Sequence, residues 1–425
     1  MSEWKEKIIG ELGYTFTGLS GKNADDFGEG KPFIPYMNIF TNGKIDISNL
    51  EYVKIKRHEK QNTVKKGDLF FTTSSETFEE VGMTSVLLED IEECYLNSFC
   101  FGFSLYNFDD LIPEFVPYLF RGETVRRDIS ILGQGSTRYN LPKTELLNRL
   151  KLNLPPLPTQ RKIARILSTA DAVVEKTQAA IAKYKAIKQG MLHDLFTRGI
   201  DLATGTQRPA YKDASHLYKP SKLGWIPKEW EDLTFKDMCI INQGLQIPIS
   251  SRFKNEGKNR YVYITIQYLN NIKDEFYRYF IESPPESVIC YEDDILMTRT
   301  GNTGKVVSNI MGVFHNNFFK VDYKRNNNKK YIINHLERED IQNLIMNYAG
   351  TTTIPDLKHS DFYKLPFFKP QIKEQELIAD RLTSIESKIQ TEQNYLHKLQ
   401  QIKAGLMADL LSGKKAVNVE GEAIN

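Results

Sequence analysis

The same residues recur in the same order 215 positions apart, and this repeat constrains the fold more than any other feature of the chain. The first pairs are Leu150/Leu365, Pro155/Pro370, Gln160/Gln375, Ile163/Ile378, Ala164/Ala379 and Leu167/Leu382. The offset continues without a gap through Lys183/Lys398, Ile187/Ile402, Lys188/Lys403, Gly190/Gly405, Asp194/Asp409 and Leu195/Leu410. A gapless series of this length marks an internal duplication. The chain must therefore fold as two copies of one plan.

The repeated segment has the period of a helix that pairs with another helix. Ile163, Ala170, Thr177, Tyr184 and Met191 fall seven apart, and Leu167, Val174, Ile181, Lys188 and Leu195 form a second such series. The second copy repeats both, with Ile378, Ile385, Glu392, Leu399 and Leu406, and with Leu382, Ile389, Leu396, Lys403 and Leu410. Both copies interrupt the seam with lysine at the same place, where a polar residue sets register at some cost in stability. The pattern predicts a helix from Thr159 to Phe196, 38 residues or roughly 55 Å long, ending near Gly199, and its counterpart ending near Gly413. A helix this long exceeds what one ordinary domain buries.

Upstream of each helix the order of elements repeats, but the residues diverge. Trp4 and Trp230 open the two halves, and Gly18 and Gly244 follow at the same distance. A strand is predicted at 67–74 and at 293–300, then apolar alternation at 99–103 and 318–321. Amphipathic helices follow at 113–127 and 330–348, and small-residue loops at 133–138 and 350–353. The polar stretch between the halves, with Gly205, Pro209, Pro220 and Gly224, reads as a linker.

Composition narrows the class. At 425 residues, 40% hydrophobic and 26% charged, the chain is of globular type with more than one domain. No apolar run approaches a membrane span, and Met1-Ser2-Glu3-Trp4-Lys5 has no apolar signal core. A cytoplasmic location is expected. Cys94, Cys100, Cys239 and Cys290 lack metal-site spacing and read as buried thiols; no metal site is expected. A net charge of +2 is low for a self-sufficient DNA binder.

Catalytic motifs are not evident. Ile34-Pro35-Tyr36-Met37 is the nearest approach to an adenine-methyltransferase loop and lacks its amide or carboxylate. Gly28-Glu29-Gly30 lies in a charged stretch and reads as a surface turn. Gly301-Asn302-Thr303-Gly304-Lys305 lacks phosphate-loop spacing, because Val306 follows the lysine. Pro355-Asp356 with Glu386-Ser387-Lys388 fits a loose metal-nuclease pattern, with its second element on the flank of a heptad helix.

The duplicated pattern resembles the specificity subunit of type I restriction-modification enzymes. The resemblance rests on Pro155-Pro156-Leu157-x-x-Gln160-x-x-Ile163-Ala164-x-Ile166-Leu167, its degenerate repeat at 370–382, and Gly224-Trp225-Ile226-Pro227-x-x-Trp230. Gly67-Asp68-Leu69-Phe70 and the run from Asp294 to Gly301 add to it. It covers essentially the whole chain. It departs at Asp293, which stands for glycine, and at Ala379-Asp380-Arg381-Leu382, which keeps the heptad positions.

The resemblance implies an α+β fold with pseudo-twofold duplication. Two mixed α/β target recognition domains (1–155 and 226–370) would each read half of a bipartite double-stranded DNA site. The long helices (156–200 and 371–415) would pair as an antiparallel coiled coil through Ile163, Leu167, Ala170, Val174, Ile181, Tyr184, Ile378, Leu382, Ile385, Ile389, Leu396 and Leu399. They would set the half-site spacing and dock two modification subunits. A linker would occupy 201–225 and a disordered tail 416–425. Restriction subunits complete the family's complex, and S-adenosylmethionine, ATP and Mg are expected on the partners rather than on this non-catalytic chain. The alternative is a coiled-coil scaffold whose domains bind protein partners.

Reading DNA requires side chains that reach base edges, with others on phosphates, and loops on a rigid domain are where they belong. In the first half the candidates are Lys22, Asn23, Thr73, Ser74, Ser75, Gln134, Ser136, Thr137, Arg138 and Tyr139. In the second they are Gln246, Arg252, Arg299, Thr300, Asn302, Thr303, Lys305, Thr351, Thr352 and Thr353.

Overall fold

The computed structural model describes residues 4–350 and 354–418. The expected tail therefore lies outside the described residues from position 419. The chain forms two compact units, one of Met1–Gln178 with Asn394–Asn425 and one of Ala179–Gln393. The division falls inside both long helices, so each unit holds the start of one and the end of the other.

Each unit repeats one sheet topology. In the first unit Gly13–Thr17, Cys100–Leu105, Leu69–Thr72 and Thr84–Val86 lie side by side in that order, all antiparallel. In the second the order is Cys239–Gln243, Phe318–Tyr323, Ile295–Thr298 and Val306–Ser308, again antiparallel. The central strands, Leu69–Thr72 and Ile295–Thr298, are buried along their whole length, which explains their unbroken apolar runs. A second sheet in each unit contains a parallel pair, Phe27–Ile34 with Tyr95–Leu96 and Arg260–Ile264 with Gly312–Phe314. Strand Lys5–Ile8 pairs with Lys151–Leu154, and Glu231–Thr234 with Pro366–Lys369, so each domain closes beside the root of a long helix.

The long helices run Leu157–Arg198 and Ile372–Leu411. Pro158 occupies the first turn of the former, where its missing N–H is harmless. Gly199 and Gly413 follow the helix ends with φ of 65° and 71°, the left-handed stop that glycine adopts without a Cβ clash. All twenty heptad positions are buried or half-buried. Within the second unit Lys388 lies over the Tyr184 ring, Lys188 meets Glu386 and the Ile200 N–H meets Glu374. The helix segments there are therefore antiparallel. In the first unit Lys403 meets Asp171, while Leu406 and Leu410 share a core with Ile163 and Leu167, giving the same direction.

Four expectations change. The single helices predicted at 113–127 and 330–348 are each two, Val116–Leu119 with Glu123–Ile131 and Lys329–Leu336 with Glu339–Ala349. An arginine sits at each break. Arg121 donates to the carbonyls of Ile39, Phe40, Asn42 and Thr84, and Arg338, 3% exposed, clamps Asp340. Gly28 and Gly30 lie inside strand Phe27–Ile34 rather than in a turn, and their φ of 107° and 112° make the bulge that shifts its register. The stretch 201–225 contains an ordered strand, Tyr218–Ser221, and the first half of its partner, Gly224–Pro227. It also supplies Arg208, which forms a buried ion pair with Glu374. Lastly, Phe99 is 63% exposed although Phe101 and Phe103 beside it are buried, because the strand begins only at Cys100.

Candidate nucleic-acid interface

Backbone pairing assembles one surface in the first unit from residues far apart in sequence. Ser74–Ser75 pairs antiparallel with Tyr139–Asn140, and the Leu141 N–H donates to the Thr73 carbonyl. Gln134 and Asn140 exchange two backbone hydrogen bonds of 2.8 Å, which closes a small loop between them. Gly135, at φ 128°, allows its tight path, since a Cβ there would press on the Arg138 carbonyl. Gln134, Ser136, Thr137 and Arg138 are exposed on this loop. Arg138 is held by an Nε bond of 3.2 Å to the Ser74 hydroxyl, and Tyr139 meets Phe78 edge to face. Thr73 is half-buried, while Ser74 and Ser75 are buried.

Next to this loop lies an open cleft lined also by Tyr36, Met37, Glu76, Glu80 and Phe99. Met37 is 55% exposed. Sequence reasoning weighed Tyr36 and Met37 only against a methyltransferase loop and read Phe99 as part of an apolar alternation, so none of them was a contact candidate. Lys22 and Asn23 lie elsewhere. The Lys22 ammonium is 2.6 Å from Glu59, and its donated hydrogen bond holds that carboxyl down at about 2. Asn23 caps the 3-10 turn Ala24–Asp26. Beside them Lys56, Arg57, His58 and Lys60 project from one exposed loop, a basic patch that a reading focused on polar loop tips missed.

The second unit makes the matching bridge differently. Thr300 pairs with Asp356 as an isolated antiparallel bridge. Arg299 grips the Asp356 carboxylate with two bonds, 3.1 and 2.8 Å, and lies over the Phe319 ring. Burial works to raise the Asp356 pKa, but the donors Arg299 and Thr300 outweigh it and the carboxyl is held low. Thr303 donates to the Arg299 and Pro355 carbonyls and is 9% exposed, so its hydroxyl serves the turn. Asn302 and Lys305 are exposed on that turn, where Gly301 and Gly304 have φ of 88° and 90°. Gln246 is exposed and accepts from Asn316. Arg252 donates twice to the Ile247 carbonyl and lies over Tyr263 and Tyr279. Thr351, Thr352 and Thr353 lie outside the described residues.

The catalytic alternatives find no geometry. Asp356 and Glu386 are held by different cations, Arg299 and Lys188. Among the described residues no cluster of His, Cys, Asp or Glu is placed to hold a metal ion. The four cysteines are buried and form no disulfide, and burial pushes the thiols up, Cys94 to about 11 and Cys239 and Cys290 to about 12. None is a ready nucleophile.

Comparison with known proteins fits this duplicated arrangement. The type I restriction modification DNA specificity domain matches twice, over residues 1–183 and 227–402. The chain belongs to that specificity family. Each matched stretch takes in one globular part and the long helix that follows it, in whole or in large part. A relative assigned as the type I restriction enzyme MjaX specificity subunit of Methanocaldococcus jannaschii is 25% identical, over 93% of this chain and 90% of its own length. The MjaIX specificity subunit of the same organism is 22% identical, over 98% and 97%. The crystal structure of a type I restriction-modification S subunit from M. genitalium has a TM-score of 0.54 at 16% identity, covering 96% of each chain. At that identity the likeness concerns the fold. No described helix is long and apolar enough to cross a membrane.

Two buried glutamines give a physical reason for the repeat of the helix roots in this chain. Gln160 accepts from the Ile112 N–H and donates to the Asp110 and Pro155 carbonyls. Gln375 accepts from the Asn328 N–H and donates to the Pro370 carbonyl and the Asn327 side chain. Both are fully buried. The same amide ties the same loop to the same helix turn in each specificity domain.

Proposed function

We propose that this chain is the sequence-reading subunit of a type I restriction-modification enzyme and works in the cytoplasm. Each globular part reads one half of a bipartite double-stranded DNA site. The long helices set the distance between the half-sites and dock two modification subunits, to which restriction subunits are added. The chain itself is non-catalytic. Methylation and cleavage, with S-adenosylmethionine, ATP and Mg, belong to the partners. The carrying observation is that the specificity domain occurs twice in one chain, each copy presenting its own strand-bridged polar loop. In the first unit Arg138 and the 134–137 loop face solvent beside the Met37–Phe99 cleft. In the second, Asn302 and Lys305 do so beside the Arg299–Asp356 pair. With a net charge of +2, much of the phosphate affinity falls to the assembled complex.

The test uses the chain purified with its modification subunit. The complex should select one split duplex from a random pool, and its affinity should fall steeply between ~50 and 200 mM salt as phosphate contacts are screened. Equal retention of every duplex would refute the reading.

A further inference from the structure

The two units carry opposite charge on one equivalent connection. In the first it joins strand Glu51–Val53 to Leu69–Thr72, and in the second it joins Phe280–Glu282 to Ile295–Thr298. The strands correspond, because Glu51–Val53 and Phe280–Glu282 each lie antiparallel to a strand that also has a parallel partner. Residues 54–68 hold six lysines and arginines and two acids, a net of +4. Residues 283–294 hold four acids and no lysine or arginine, a net of −4.

In the first unit the free charge lies at one place. Lys54 and Lys66 are paired with Glu29 and Asp90. Lys56, Arg57 and Lys60 are exposed and have no ion pair among the described residues. The acid between them is occupied, since Glu59 accepts from the Lys22 ammonium, the Lys56 N–H and the Gln61 amide. Gln61 also exchanges bonds of 3.1 and 2.8 Å with the Ser20 backbone, and Asn62 donates to the Thr17 carbonyl and hydroxyl. The loop is thus tied to the end of strand Gly13–Thr17 and needs little ordering on binding.

That strand end lies on the side of the sheet that carries the bridged loop. Thr17 pairs with Phe101, and the Phe99 carbonyl takes the Thr73 N–H. Strand Leu69–Thr72 is therefore two strands away, about 10 Å, well within one turn of duplex at about 34 Å. A duplex lying across this end meets both loops. The second unit has no such set. Glu286, Glu292 and Asp293 are exposed on its connection. The cations of its neighbouring loop are mostly engaged, Arg252 by the Ile247 carbonyl, Lys254 by the Phe276 carbonyl and Arg260 by Glu282. Lys258 remains, two residues after Glu256.

We infer that Lys56, Arg57 and Lys60 grip the phosphate backbone at the first half-site, and that the second domain holds its half-site without an equivalent grip. This rests on the function proposed above and divides the affinity unequally between its two domains. Backbone phosphate is the occupant that fits the charge. Three cations within five residues, with their one acid occupied, complement a row of negative charges and carry no base preference. The first domain anchors the duplex, and the second contributes chiefly selection.

The experiment titrates salt against the full chain with its modification subunit on three duplexes: the intact split site, one truncated to lack the first half-site and one truncated to lack the second. The slope of log affinity on log salt should be steeper for the duplex that keeps the first half-site, by up to about 2.7 for three phosphates. K56Q/R57Q/K60Q should remove that difference and weaken binding to the intact site about tenfold or more. It should select the same sequence from a random pool and bind the same number of modification subunits in native mass spectrometry. A wild-type slope in the variant would overturn the grip. A changed selected sequence would make the loop a base reader, and loss of a modification subunit would make its occupant an acidic protein surface; either outcome overturns the proposal. Equal retention of every duplex by the wild-type complex would instead overturn the function proposed above, whatever the variant does.

Discussion

The helix roots and the recognition loops are equivalent regions of the two units, yet they have diverged to very different degrees. At the roots, Gln160 and Gln375 make the same pattern of bonds from the same position. Along the seam, Lys188 meets Glu386 while Lys403 meets Asp171, and these two acids are themselves 215 apart. In the loops, the first unit joins Arg138 to a serine hydroxyl, whereas the second locks Arg299 onto a carboxylate. The backbone bridge survives in both, Ser74 to Asn140 and Thr300 to Asp356, but its side-chain chemistry does not. Shared architecture thus fixes buried polar contacts, where one lost partner strands another group, and leaves exposed loops free to differ.

The comparison can be broken most forcefully at the roots. Gln160→Leu strands a backbone N–H and two carbonyls, and Gln375→Leu a backbone N–H, one carbonyl and the Asn327 side-chain oxygen, each with an expected loss of about 3 kcal/mol. Chemical denaturation followed by hydrogen exchange should show equal losses, each confined to its own unit. Markedly unequal losses would mean that the two clamps are not equivalent.

A second test exploits a position where the helices before the breaks differ. Three residues before the break arginine, the first unit has Tyr118, which donates to Asp171 at 2.8 Å. The second has His335, fully buried against the Pro366 carbonyl. Burial, aided by Arg338, drives the imidazole down to about 3. Between pH 6.5 and 3 the unfolded state then binds more protons than the native one. His335 therefore leaves stability intact above pH 6.5, and stability is lost as pH falls toward 3, by up to about 1.4 kcal/mol per pH unit. Acid titration by hydrogen exchange should open the second unit first, and His335→Gln should flatten that slope. An unchanged slope would remove His335 as its source.

The smallest effect belongs to the seam lysines. Burial works against the Lys188 charge, but Glu386 and Glu337 outweigh it and its pKa rises. Lys188→Met should cost about 1 kcal/mol and Lys403→Met, more exposed and with a single acid, about 0.5 after solvent screening. Exchanging charges in K188E/E386K should recover part of the loss if the pair sets register, as read from the melting temperature.

Much of this was legible because buried contacts constrain residue type. The seam lies at the predicted seven-residue steps, and the helix ends fall at Gly199 and beyond Leu411. The strands at 69–72 and 295–298 were visible as apolar runs with turn residues before them. The helix breaks were not, because Arg121 and Arg338 look like ordinary surface cations until the carbonyls and the half-buried carboxylate that hold them are placed. Arg208 was hidden for the same reason: its stretch is polar in composition, yet Glu374, 2% exposed, and Glu229 hold its guanidinium. The Met37–Phe99 cleft depends on four segments converging, and no local pattern records that.

By itself the sequence determined that there are two copies, that each ends in a long helix with a pairing seam, and which family the chain resembles. Those properties repeat at fixed steps along the chain, because a helix and a strand place side chains at fixed periods. Tertiary structure alone decided that each unit takes the start of one long helix and the end of the other, and which loop residues meet. It also decided which cations are occupied by buried partners. These depend on contacts between residues tens to hundreds of positions apart, and the free energy of such contacts resides in burial and hydrogen-bond geometry that no local spacing encodes.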